Sequence, residues 1–231
     1  MLVFLCYVAA NLIAEPLMRV FLTILFTSFA TLASAQTFQL SLGSGTIGTM
    51  TVTGDSIRAN VTDSPLGLAN GAFTATAKRV QMTDGRVVTQ YLSDTPRKGR
   101  KISVLSDKGQ VIETTVSPSD DRTDLSDPAA VPGAVSTPVA VLNGMINATG
   151  CPGAMRFYDG RRVITLSPTG STQTGAMLSC DMSYRVTAGP GHLSPLYIKN
   201  ATMEVTYDTA AGQSLTEIQI GNGPFTLYVT R

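Results

Sequence analysis

The sequence predicts an all-β protein: a large, strongly curved antiparallel sheet, or an open or closed barrel, with one short helix. Three observations carry this. Apolar and polar residues alternate in segment after segment, as in Ala201, Met203, Val205 and Tyr207 set against Thr202, Glu204 and Thr206, the pattern of a strand with one dry and one wet face. The segments are short and divided by turn signals such as Asp84-Gly85 and Asp159-Gly160, where Gly accepts a positive φ and Asp tolerates it. They number roughly eleven to thirteen, and a sheet that long normally curls into a barrel or folds over itself.

The chain has 231 residues, but the first 35 read as a targeting segment. Met18-Arg19 precedes an apolar run from Val20 to Phe26, and Ala33-Ser34-Ala35 is a small-x-small cleavage site. That is a secretory signal peptide. The stretch Met1 to Leu17 adds a second apolar run and Glu15, which fits a start assigned too early, with the signal proper at about 18–35. A transmembrane anchor is the alternative; Arg19 interrupts the run and argues against it. Cleavage after Ala35 leaves residues 36–231, a length suited to a single domain. No stable membrane span is expected in that mature part.

Phe38, Leu40 and Leu42 open the domain on one parity. Met50 and Val52, then Ile57, Ala59 and Val61, repeat the pattern across Gly54-Asp55. Asp63 to Leu68 is broken by Pro and Gly and reads as a connector. A strand from Phe73 to about Met82 turns at Asp84-Gly85 and returns over Val87 to Leu92. Ile102 and Val104 form the next strand, Asp107-Lys108-Gly109 the turn, and Val111 to Val116 its partner.

Ser117 to Thr137 breaks the meander with Asp120, Asp121, Asp124, Asp127, Pro128 and Pro132. It is expected as a loop between two halves of the sheet. Its four aspartates lack the spacing, central Gly and terminal Glu of a calcium loop. Pro138 to Ile146 reads as the short helix, with Pro at its first turn and an apolar stripe of Val141, Leu142, Met145 and Ile146.

Cys151 to Cys180 comes next. Met155 to Tyr158 and Ile164 to Leu166 flank Asp159-Gly160 as a hairpin. A longer strand follows, with Ala176, Leu178, Cys180, Met182, Tyr184 and Val186 on one parity. Once Cys6 leaves with the export segment, Cys151 and Cys180 are the two cysteines of an exported chain, and these usually pair. Pairing closes a loop of about 30 residues, worth roughly 3–4 kcal/mol. Two buried free thiols are the alternative. Parity places Cys180 on the buried face. Gly189-Pro190-Gly191 ends that strand, 192–199 crosses over, and strands at 201–207, 218–220 and 225–229 close the chain.

Composition removes several function classes. The formal charge is +1, and the mature part loses Arg19 and Glu15 together, so no nucleic-acid footprint is expected. The single histidine, His192, excludes a multi-histidine zinc site and reads as a turn or surface residue. No Gly-x-Ser-x-Gly elbow is present. No cofactor is expected and the chain is not read as an enzyme. A transmembrane β-barrel is compatible with alternation, but such barrels want longer strands and aromatic girdles, and aromatic content is 6%. The candidate contact residues are Arg156, Asp159, Arg161 and Arg162; the arginines either grip an anionic group or partner, or solubilise a hairpin tip and pair with Asp159 or Asp181.

The residues Cys151, Phe157-Tyr158-Asp159-Gly160-Arg161-Arg162, Cys180, Tyr184 and Ala188-Gly189 resemble the exported bacterial proteins grouped as domain of unknown function 3108. Gly45, Gly48 and Ser64-Pro65-Leu66-Gly67 are similar as well. Thr137-Pro138-Val139 departs from the Asp-Pro-Leu that members tend to place before the helix. The resemblance implies a periplasmic protein with a large curved sheet and no assigned activity. The expected function is a non-enzymatic periplasmic protein binding or carrying a lipid or other hydrophobic envelope ligand. The alternative is a structural or interaction protein that docks an envelope protein through the arginine hairpin or an edge strand.

Overall fold

The computed structural model describes residues 35–64, 70–192, 197–210 and 212–231. The expected signal peptide and most of the 63–68 connector lie outside the described residues. Thirteen strands form one antiparallel sheet: β1 (Gln36–Leu42), β2 (Gly45–Val52), β3 (Ser56–Val61), β4 (Gly71–Gln81), β5 (Val87–Thr95), β6 (Arg100–Asp107), β7 (Gln110–Ser117), β8 (Met155–Tyr158), β9 (Val163–Thr174), β10 (Met177–Ala188), β11 (Asn200–Asp208), β12 (Ser214–Asn222) and β13 (Phe225–Thr230). Each pairs with its sequence neighbour except at two places. β7 and β8 are the sheet's two ends, and β1 pairs with β13, Leu40 opposite Val229. Two meanders therefore meet at the strands that begin and end the domain.

This order corrects the expected strongly curved sheet or barrel. The sheet is open, in a linear strand order, and no ladder joins β7 to β8. The outer side of β8 is taken instead by Ser136, which forms a parallel bridge to Phe157. Ser136 N–H donates to the Arg156 carbonyl, and its own carbonyl accepts from Tyr158 N–H. These two bonds occupy part of the outer edge of β8. Edge protection continues on β9, which runs past β8 over 167–174 with Pro168 and Gly170, residues that discourage further pairing.

Alternation decides which side is buried. Ile102 and Val104 on β6, Cys180 and Met182 on β10, and Met203, Val205 and Tyr207 on β11 all belong to one core. Each fully buried aliphatic side chain contributes about 1.5–3 kcal/mol. The helix α1 (Pro138–Ile146) packs against β4, β8 and β12. Thr137 caps it, its Oγ1 accepting from Ala140 N–H at 3.1 Å, and Pro138 fills a position where no N–H is needed. Val139, Val141, Met145 and Ile146 are its buried residues.

Buried tyrosines need a hydrogen-bond partner, and here the partners are backbone. Tyr207 Oη donates to the Met145 carbonyl at 2.8 Å in the last turn of α1, a carbonyl that also accepts from Ala148 N–H. Tyr158 Oη donates to the Leu125 carbonyl at 2.5 Å. The 117–137 segment is thus tied down, and it carries three short 3-10 turns at Ser119–Asp121, Asp124–Ser126 and Pro128–Ala130. A disulfide joins Cys151 to Cys180, with Cα atoms 5.5 Å apart. Cys180 is buried on the core face as its parity requires, while Cys151 reaches it from an exposed loop.

Candidate functional site

The Asp159 turn between β8 and β9 is built from its own backbone outward. Asp159 Oδ1 accepts from the N–H groups of Arg161 and Arg162, both at 2.9 Å. Gly160 sits at φ +93°, and a Cβ there would fall 2.2 Å from Ile102 Cγ2. Only glycine allows both that backbone and that approach. The turn is therefore pressed onto β6.

The arginines do not form a solvated tip. Arg162 is 9% exposed, and its Nε lies 3.0 Å from Asp159 Oδ2. That N–H is not aimed at the carboxylate and finds no hydrogen-bond partner, so the contact is one of charge rather than of a directed bond. Arg161 turns the other way. Its Nε donates to the Asp121 carbonyl at 2.7 Å, and Nη2 lies 3.6 Å from Asp121 Oδ1. Arg100 grips the same carboxylate with two bonds, 2.8 and 2.5 Å. The Arg100 hydrogen bond holds the Asp121 carboxyl below its usual range, against the opposing effect of burial. Thr123 Oγ1 donates to the Arg161 carbonyl at 3.1 Å. Three guanidiniums thus surround two carboxylates.

His192 is brought to this turn by a tight backbone approach. Gly189 sits at φ +85°, where a Cβ would be 2.4 Å from the Arg161 carbonyl oxygen. Three residues later His192 exchanges two backbone hydrogen bonds with Ile198, 2.8 and 2.9 Å. Its ring then lies between Arg162 Nη1, at 2.5 Å from Nδ1, and Tyr184 Oη, at 2.6 Å from Nε2. Burial first, and the Arg162 charge second, push its pKa down to about 3. Burial also raises that of Tyr184. The expectation of a surface histidine is thereby corrected: it is half-buried and both ring nitrogens are engaged.

Two cavities meet at His192. One, of about 240 Å³, is mixed: Arg100, Asp159, Arg161 and Arg162 line it together with Phe73, Phe157 and Ile164. The other, of about 270 Å³, is walled by Leu42, Ile198, Ile220, Phe225 and Leu227, with Tyr184 and Asn222 at its polar points. Both lie just below the roughly 300–1,000 Å³ of sites for drug-sized ligands, so each suits a small ligand or part of a longer one.

Of the four sequence candidates, the structure gathers Asp159, Arg161 and Arg162. Arg156 lies apart and lines a third cavity, about 580 Å³, with Lys108, Ser106 and Thr137. The residues that sequence reasoning missed are Tyr184, His192, Arg100 and Asp121. Tyr184 had a usable signal, since its parity with Cys180 and Met182 points it inward. Asp121 had none: four aspartates share its segment, and only the fold selects one.

Fold and site together define an all-β protein with one disulfide and a small amphipathic pair of cavities. No protein-family model matches the chain. No curated protein matches it either. Among the described residues no helix is long and apolar enough to cross a membrane, and no three His, Cys, Asp or Glu side chains are grouped to hold a metal ion.

Proposed function

We propose that the domain is an exported, periplasmic binding protein that holds an apolar ligand and does no chemistry on it. The observation that carries this reading is the 270 Å³ cavity, whose wall is carbon except at Tyr184, His192 and Asn222. Its apolar residues Leu42, Ile198, Ala201, Ile220 and Leu227 are half-buried rather than packed away. Surface of that kind is stabilised when a ligand covers it. The polar network beside it, Arg162 to His192 to Tyr184, gives that wall a polar end. The resemblance to the domain of unknown function 3108 supports the periplasmic part of the reading and rests on the residues quoted for it.

Ala201→Phe tests the pocket. The new ring fills the space beside Ile220 and Leu227. Binding of a fluorescent fatty-acid analogue should be lost, with the thermal midpoint held within a few degrees. A wild-type protein that binds no such probe, and that carries no small molecule by native mass spectrometry when isolated from its envelope fraction, would sink the proposal.

A further inference from the structure

We infer that Tyr184 presents its hydroxyl proton to the apolar cavity and selects ligands whose apolar body ends in an acceptor oxygen, as in an acyl carbonyl or carboxylate. The inference rests on the reading of that cavity as a ligand site.

The argument begins with Arg162. A guanidinium carries only donors and keeps its charge in proteins. Its Nη1 lies against His192 Nδ1, so Nδ1 must be the acceptor and carries no proton. A neutral ring then holds its proton on Nε2. A doubly protonated ring would set N–H against N–H beside a positive charge. The low pKa of His192 agrees with that exclusion.

Nε2–H has one partner, Tyr184 Oη at 2.6 Å, and so donates to it. Tyr184 cannot donate back, because Nε2 has no lone pair left. Its own proton therefore needs another acceptor. Among the described residues no hydrogen bond supplies one, and the side chain lines the apolar cavity. The other polar group there, Asn222, spends an Nδ2 proton on the Asn200 carbonyl at 2.6 Å. That leaves one N–H and the carbonyl oxygen of Asn222 at the rim, and Tyr184 as the donor set inside the apolar wall.

The cavity thus offers one fixed O–H in a carbon-lined space. Fixation matters because the donor's direction is set before any ligand arrives, from Arg162 through His192 to Tyr184. A ligand with an acceptor at one end is oriented head to tyrosine and body along Leu42, Ile220 and Leu227. A purely apolar chain, or one ending in a cation with no lone pair, gains nothing from the Tyr184 O–H, although either can pack on its ring.

The test is calorimetry of wild type and Tyr184→Phe with two probes of equal chain length, decanoate and decyltrimethylammonium. A hydrogen bond to a charged acceptor is worth enough that the variant should lose roughly tenfold in decanoate affinity. Its affinity for the ammonium probe should not change. Equal losses on both probes, or none on either, overturn the donor role while leaving the pocket standing. Failure of wild type to bind either probe overturns the pocket reading and the inference with it. Nitrogen-15 spectra of His192 check the tautomer without ligand. A ring protonated on Nε2 alone between pH 5 and 8 is expected, and a proton on Nδ1 overturns the chain of donors.

Discussion

Arg162 reaches Asp159 on its own turn and His192 thirty residues along the chain. A charge this buried is tolerable only because both contacts are present. The same arrangement sets a pH dependence through His192. Its folded pKa, near 3, lies below the 6.5 of an exposed histidine. Below pH 6.5 the unfolded chain binds a proton that the folded chain refuses, so the stability present at neutral pH declines as pH falls from 6.5 toward 3. The facing groups are Arg162 and Tyr184, with Asp159 behind Arg162. Urea unfolding should show stability falling between pH 7 and 5 with a slope of at most about 1.4 kcal/mol per pH unit. His192→Gln should flatten that slope, and an unchanged slope would place the titration elsewhere. None of this was legible in Gly189-Pro190-Gly191-His192, because turn chemistry identifies a turn and says nothing of what it is pressed against. The role of Arg162 was half legible. Its type marked it as a candidate, but its inward direction depends on Gly160 and Gly189 bringing two other segments within van der Waals reach.

Local elements read more faithfully. The helix falls on Pro138–Ile146 as its proline and apolar stripe predict, with Val139 buried and Leu142 only half-buried. The alternation of β10 and β11 sorts buried from exposed residues as their parity requires. What periodicity could not supply was the 117–137 segment, where short 3-10 turns leave no apolar repeat. Its anchoring comes from distant partners, Tyr158 to Leu125 and Arg100 and Arg161 to Asp121. The disulfide works at this level too. It binds the exposed loop after α1 to the buried face of β10, and so holds the β8–β9 hairpin beside the strand that carries Tyr184. Closing that loop stabilises the fold by about 3–4 kcal/mol through the unfolded chain. Replacing both cysteines with serine should lower the stability measured in urea by that amount. A loss below about 1 kcal/mol would mean the unfolded chain is already compact there.

At the scale of the whole molecule the sheet is open, where the sequence reading expected strong curvature or a barrel. Strand number and direction follow from local patterns, but closure depends on what occupies the outer side of β8. Ser136 stands there, bridged to Phe157, and nothing in its neighbours announces it. The pairing of β1 with β13 has a consequence for how the chain can be cut and rejoined. Every other strand pair links sequence neighbours, so most of the sheet forms through short loops. The remaining ladder matches Gln39 with Thr230 and Leu42 with Leu227, which sets the first and last strands of the domain side by side, with the start of β1 and the end of β13 at the same border. A short glycine-serine bridge from Arg231 to Gln36 would make that ladder a hairpin like its neighbours, and the chain could then be opened in the exposed stretch at 132–134. Such a permutant should fold to the same far-ultraviolet spectrum and refold faster than the native order, because its one distant pairing has become local. The long-range closure would pass to the contacts across the new break. A permutant that refolds no faster would show that those contacts, rather than the meeting of the two ends, set the pace of assembly.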